Sequence, residues 1–96
     1  MSQAIRKPHL RLRLYIAGPG AYALAAQRSL ERVATAASIE YELEVIDLRR
    51  NPERAAQDSV VVTPTLVRAA PPPRAMLIGD LADESKLAAA LGVQAR

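Results

Sequence analysis

The first clear pattern along the chain is an alternation of leucine and arginine. Residues 10 to 14 read Leu-Arg-Leu-Arg-Leu, and Tyr15 and Ile16 follow. A period of two is typical of a β-strand that buries one face. The Gly18-Pro19-Gly20 segment then predicts a break. From Ala21 to about Ala37 apolar residues recur at spacings of three and four, which predicts a helix.

A second strand is predicted from Tyr41 to Leu48, where polar and apolar residues alternate again. Strand, helix and strand in this order form a βαβ unit, so the two strands are expected to be parallel. Arg11 and Arg13 then share one face with the glutamates at positions 42 and 44. We expect such cross-strand pairs to help choose the register.

The segment Asn51-Pro52-Glu53 has the composition of a helix start, with Asn51 as the N-cap and proline at the first helical position. This second helix is predicted to end near Asp58. The β-branched run Val60–Val67 then favours a strand, although Pro64 interrupts it. Because proline has no N–H for a strand ladder, it is expected to start a strand or to lie at an edge or a bulge.

The last third of the chain alternates between proline, strand and helix signals. Pro71-Pro72-Pro73 must be extended, and a fourth strand is predicted over Arg74–Ile78, stopped by Gly79-Asp80. A final helix is predicted from its cap at Asp83 through Leu91, with Gly92 as its terminator.

The order βαβαββα predicts an α/β fold of thioredoxin-like type, with a mixed four-stranded sheet and three helices. In that architecture the third strand begins at a proline that follows a cis peptide bond. We therefore predict a cis Thr63-Pro64 bond, although a trans proline in an edge strand or bulge is the alternative.

Composition limits the class of protein. At 96 residues the chain is expected to form a single domain over residues 1–96, with an ordered core over about 10–92. The chain has no phenylalanine or tryptophan, so its core must consist of aliphatic residues and alanine. No apolar run reaches the ~20 residues of a membrane helix, and the first residues do not resemble a signal peptide. A cytoplasmic location is expected.

The net charge of +3 and the pI of about 9.8 raise the question of nucleic-acid binding. The arginines are scattered, no aromatic residues interleave with them, and no recognition motif is present. The charge is therefore interpreted as a contribution to solubility and to steering toward an acidic partner.

The sequence contains no cysteine, which excludes disulfide exchange and thiolate metal sites. His9 is the single histidine, and no metal site or cofactor is expected. Tyr22 is the one candidate nucleophile near the first strand–helix junction, but a packing role is favoured. The glycines before the first helix lack a phosphate-loop pattern, and capping explains the acidic residues of the last segment, which are Asp80, Asp83 and Glu84.

Four segments resemble blocks of the KaiB family of circadian-clock proteins: "LRLYIAG", "YELEVIDLRRNPERA", "VVVTPTLVRAAPPP" and "LIGDLAD". The resemblance covers the chain from Leu10 to about Leu91. It implies a non-enzymatic domain that binds the ATPase ring of KaiC, in competition with the KaiB-like sensor domain of the kinase SasA. A KaiA-like protein is a further partner or competitor.

The family is also known for two folds, a monomeric thioredoxin-like state and a tetrameric ground state whose second half is arranged differently. Val60–Val67 favours strand, and the strongest helix-favouring run of the second half comes later, at Lys86–Leu91. We therefore expect the thioredoxin-like state to predominate, with the other fold as an alternative.

The sequence departs from the family at positions that engage the ring. Where the family has basic residues on the second strand and after the second helix, this chain has Glu44 and Ser59. The basic pair after the prolines is replaced by Ala75 and Met76, with Arg74 just before them. These changes either weaken association or fall on solvated surface positions.

Three classes of function compete: a clock-ring binder, a sensor-type module that binds a kinase or other regulator, and an enzyme, which the missing cysteines disfavour. The predicted partner-binding residues are Tyr41, Glu42, Glu44, Gln57, Asp58 and Ser59. The predicted structural residues are Pro64, Gly79 and Asp80.

Overall fold

The computed structural model describes residues 9–18 and 20–93 of the chain. The strands of this part are β1 (His9–Ile16), β2 (Glu40–Asp47), β3 (Thr65–Ala70) and β4 (Ala75–Ile78). Its α-helices are α1 (Gly20–Ala37) and α2 (Glu84–Leu91), and a 3₁₀ helix spans Pro52–Asp58. The N-terminal segment tested for a signal peptide and Pro19 of the predicted break lie outside the described residues. Within the described ranges, no helix is long and apolar enough to cross a membrane.

The strands form one sheet in the order β2-β1-β3-β4. β1 and β2 are parallel, whereas β3 lies antiparallel to both β1 and β4. The predicted βαβ unit, the mixed four-stranded sheet and the thioredoxin-like order are therefore confirmed.

The alternation in β1 separates two cores. Leu10, Leu12 and Leu14 are each at most 3% exposed and face the α-helices, where they pack on the apolar stripe of α1. Complete burial of a leucine side chain is worth ~1.5–3 kcal/mol, so this layer supplies much of the driving force for folding. Other core residues on this side are Ala23, Ala26, Leu30, Val33, Leu66, Leu87 and Leu91.

The second face of the sheet carries a smaller core. Tyr15 and Val67 are fully buried there together with Ile46 and Val60. The 3₁₀ helix contributes Ala55 to this cluster. Because this helix is only seven residues long, it covers only one end of this sheet face. The polar residues described below lie around it.

The second helix differs from its prediction in two ways. It is a 3₁₀ helix, in which Arg54 N donates to Asn51 O at 3.0 Å, three residues back. Asn51 precedes the helix as expected, but its side chain makes no capping hydrogen bond. Ser59 ends the helix in the left-handed conformation, and its N–H and that of Val60 close the last turn on Ala56 O and Ala55 O.

The predicted strand over Val60–Val67 is wrong in its first half. The Thr63-Pro64 bond is cis as predicted, and β3 begins only at Thr65. The β1–β3 ladder ends with the pair Tyr15–Thr65, and the next residue, Pro64, has no N–H to continue it. Pro64 O accepts a hydrogen bond from Gly79 N at 3.1 Å, which ties the start of β3 to the end of β4.

The final helix has the predicted caps. Asp83 Oδ1 accepts from Lys86 N at 3.1 Å, and Gly92 ends α2 with a φ of 78°. Arg68 of β3 holds this end of the helix, since it donates to Leu91 O at 3.3 Å and to Pro73 O at 2.7 Å. The side chain therefore connects the triple-proline loop with the C-terminus of α2.

Candidate partner-binding surface

The predicted register of β1 against β2 is confirmed, but the arginine–glutamate pairs predicted across these strands do not form. Arg11 lies opposite Glu42 and Arg13 opposite Glu44. Each glutamate nevertheless finds another partner. Glu42 pairs with His9 at 2.7 Å, and Glu44 accepts from both terminal nitrogens of Arg54 at 3.0 and 3.1 Å.

Arg13 instead turns to Asp58, the last residue of the 3₁₀ helix. Its Nε and Nη2 donate to the two carboxylate oxygens at 2.7 and 3.0 Å, and the Tyr15 hydroxyl donates at 2.6 Å. Arg74 donates to the main-chain oxygen of Asp58 at 2.7 Å and, less closely, to its carboxylate at 3.3 and 3.4 Å. We call these four residues the Asp58 cluster.

Burial and charge explain the titration of the Asp58 cluster. Asp58 is only 3% exposed, and the hydrogen bond from Arg13 lowers the pKa of its carboxyl to about 2 against the cost of desolvation. The same hydrogen bond raises the pKa of Arg13. Burial, with the bond to Asp58, raises the pKa of Tyr15. The Asp58 carboxyl therefore stays ionised at neutral pH, paired with the Arg13 guanidinium.

Four of the six predicted binding residues lie in exposed positions around this cluster. Glu42 and Glu44 are exposed on edge strand β2, and Gln57 and Ser59 are exposed at the end of the 3₁₀ helix. Arg54 links the two groups, because it donates to Gln57 Oε1 at 3.0 Å as well as to Glu44.

The other two predicted residues are placed differently. Asp58 is enclosed beneath this surface and orients the side chains around it. Tyr41 lies on the opposite face of the sheet, where its hydroxyl donates to Glu31 of α1 at 2.6 Å. Burial, with this hydrogen bond, raises the pKa of Tyr41 to about 12. The six residues therefore do not form one continuous surface.

A cleft of about 300 Å³ opens where β1 meets α1. Tyr22 lines it and is 68% exposed, and Thr63 and Pro64 form its other side. The remaining lining comes from Ile16, Ala17 and Gly18, so the described lining includes no charged side chain.

The acidic residues considered for a metal have local structural roles. Asp80 Oδ1 accepts from Ala82 N at 3.0 Å in the turn after Gly79, and Asp83 caps α2. Glu84 pairs with Arg32 of α1 at 2.7 Å, which ties the two α-helices together.

Sequence reasoning misses two features of this region. Arg74 reaches Asp58 across sixteen residues of chain, a contact that no local pattern indicates. Val61 and Val62 lie in the segment predicted as a strand but are 88% and 47% exposed. The one sequence signal for their exposure is the neighbouring Pro64, which cannot continue the ladder between β1 and β3.

The fold and this surface define a cysteine-free, thioredoxin-like α/β domain whose polar groups lie on the sheet face opposite the α-helices. The model of the KaiB domain matches residues 13–93. The chain therefore belongs to the KaiB family.

Individual relatives agree. The circadian clock oscillator protein KaiB of Acaryochloris marina is 39% identical over 85 residues, which cover 88% of this chain and 81% of the relative. The protein of the same name from a Picosynechococcus species is 39% identical over 77 residues, covering 79% of this chain and 74% of the relative. Among solved structures, the N-terminal domain of Synechococcus elongatus SasA is similar, with a TM-score of 0.69 and 30% identity over 96% of this chain and 90% of that domain.

Proposed function

We propose that this protein is a non-enzymatic binding module of KaiB type, which takes part in circadian timing by binding a KaiC-like ATPase ring. The observation that carries the proposal is the family match over residues 13–93, combined with relatives named as clock oscillator proteins. The proposal includes a single cytoplasmic domain without cofactor, metal, nucleic acid or membrane partner.

The chemistry of the cleft supports a binding role. The sequence has no cysteine at the junction of β1 and α1, where a thioredoxin-like redox enzyme keeps its thiol. Tyr22 projects into solvent at this junction, and the described lining offers no charged group to activate its hydroxyl.

The proposed contact surface consists of Glu42, Glu44, Gln57 and Ser59. A ring that engages basic residues in other family members would meet Glu44 on β2 here, so we expect the charge at this position to limit association. Arg74 brings a cation to the main chain of Asp58, one residue before Ser59. Arg74 therefore places a positive charge at the end of the 3₁₀ helix, near the position where other family members have a basic residue and this chain has Ser59.

A second candidate function is a sensor-type interaction domain that binds a signalling kinase or another regulator. The similarity to the SasA N-terminal domain favours it, because that domain has the same fold at 30% identity. Competition with a SasA-like or KaiA-like protein, a monomeric thioredoxin-like state and a switch to a tetrameric second fold belong to the KaiB-type proposal.

The test is co-migration with a purified KaiC hexamer on size-exclusion chromatography, in ATP and in ADP. Wild type and Glu44→Lys are compared, with Glu44→Gln as a matched control that removes the charge without reversing it. We expect a nucleotide-dependent complex that Glu44→Lys strengthens. If neither wild type nor Glu44→Lys binds the ring in either nucleotide, the sensor-type function becomes the better one.

A further inference from the structure

The segment between the 3₁₀ helix and β3 presents apolar side chains to solvent from a backbone held at both ends. On one side, Val60 is 7% exposed and its N–H donates to Ala55 O at 2.8 Å. On the other side, the hydroxyl of the fully buried Thr65 donates to Val62 O at 2.7 Å. The loop is therefore positioned before any partner arrives, which lowers the entropic cost of binding.

Val61 stands at the apex of this loop. At 88% exposure its side chain contacts almost nothing of its own protein, so it projects outward as a knob. Contact with an apolar surface of another molecule would remove this side chain from water, and a concave pocket would cover most of it. Val62, at 47% exposure, extends the apolar surface toward Thr63 at the rim of the cleft.

The ionic groups beside this loop carry an excess of positive charge. Asp58 and Glu44 are the two carboxylates of the group, and they are bound by three guanidiniums, those of Arg13, Arg54 and Arg74. Arg74 is 46% exposed and its contacts with the carboxylate are the longest of the group, at 3.3 and 3.4 Å. Its guanidinium can therefore donate hydrogen bonds to an additional anionic group on another molecule.

We propose that the partner is a protein with an apolar pocket that receives Val61, bordered by an aspartate or glutamate that pairs with Arg74. This inference rests on the proposed function of the chain as a binding module and adds the chemistry of the partner's surface. An apolar anchor surrounded by polar groups is the usual arrangement of a binding hot spot. Here Gln57 and Ser59 provide the polar surroundings.

The experiment measures the Kd of fluorescently labelled protein for the purified KaiC hexamer at several salt concentrations. Val61→Asp should weaken binding at least about tenfold. Leu24→Asp is the matched control, because Leu24 is half exposed on the side of α1 turned away from the cleft residue Tyr22. Its Kd should stay within about twofold of wild type, since hot-spot residues are few.

Arg74 is tested by a pair of variants. Arg74→Gln should weaken binding roughly threefold and make it less sensitive to salt, as expected for a rim charge. Arg74→Lys keeps the charge and should restore both binding and its salt dependence. Circular dichroism spectra of each variant establish that it is folded. If Val61→Asp binds as tightly as Leu24→Asp, or if Arg74→Lys behaves like Arg74→Gln, the inference is wrong.

A separate measurement distinguishes failure of the proposed KaiC binding from failure of the proposed contact surface around Val61. If wild type does not bind the KaiC hexamer, the proposed function fails, and a photo-crosslinking amino acid placed at position 61 or 24 in the producing cells decides about the surface. We expect position 61 alone to crosslink to a protein, at an apolar pocket beside an acidic residue. Equal yields from both positions, no product, or a product at a basic surface would overturn the inference.

Discussion

Replacement of Asp58 by asparagine tests the central ionic contact of the structure. The asparagine side chain has nearly the same shape but lacks the charge, and its amide group is a donor where Arg13 and Tyr15 also donate. The side chain of Asp58 is 3% exposed, so water cannot replace the lost acceptor.

The expected cost follows from the burial of the partners. Removal of one member of a buried ion pair costs ~3–5 kcal/mol. Arg13 and Arg74 are 22% and 46% exposed and can turn partly to water, which places the effect at the lower end, about 3 kcal/mol. In a domain of this size, that lowers the melting midpoint by on the order of 15 °C.

Thermal unfolding at pH 7 followed by far-ultraviolet circular dichroism measures this change, since the chain has no tryptophan for fluorescence. Glu42→Gln is the matched control, because its carboxylate is 67% exposed and paired with the half-exposed His9. We expect the midpoint of the control to stay at the wild-type value. An Asp58→Asn midpoint within about 3 °C of wild type would show that the cluster adds little to stability.

Three further predictions concern pH and backbone geometry. The folded pKa of Asp58 is lowered to about 2, so its contribution to the free energy of unfolding is complete above the unfolded pKa near 4 and is lost as the pH falls through 2. In acid-unfolding experiments, Asp58→Asn should lack this pH-dependent component of about 2 kcal/mol. Gly92→Ala and Gly79→Ala should each destabilise the fold in urea titrations, because both residues have positive φ, and a wild-type midpoint for either variant would contradict this. At Gly92 the added Cβ would also push aside the flexible guanidinium of Arg68, so combining Gly92→Ala with Arg68→Ala should cost less than the sum of the two single changes. The pKa of Tyr41 is raised to about 12, so its contribution to stability is present below pH 10 and lost toward pH 12. Spectrophotometric titration at 295 nm should show a late phase to which Tyr15 and Tyr41 both contribute, because both pKa values are raised, and Tyr41→Phe should reduce its amplitude; an unchanged late phase in Tyr41→Phe would contradict this.

Local patterns determined most of the architecture. The Leu-Arg alternation of β1 and the three-and-four spacing of α1 each follow from where a side chain points in a strand or helix, which requires no knowledge of distant residues. The caps at Asp83 and Gly92 are equally local, since each acts within one helical turn. These elements, their order and the family resemblance could therefore be predicted from the sequence by itself.

Tertiary structure decided the features on which the proposed surface depends. Asp58 is buried because Arg13 and Tyr15, more than forty positions earlier, supply the donors that offset the cost of removing its carboxylate from water. The valines before Pro64 have strong strand propensity but remain a loop, because the β1–β3 ladder ends at the pair Tyr15–Thr65 and the next residue, Pro64, has no N–H to continue it. Whether a charge is buried or an apolar side chain is exposed depends on which distant groups the fold brings beside it. Residue type alone does not carry that information.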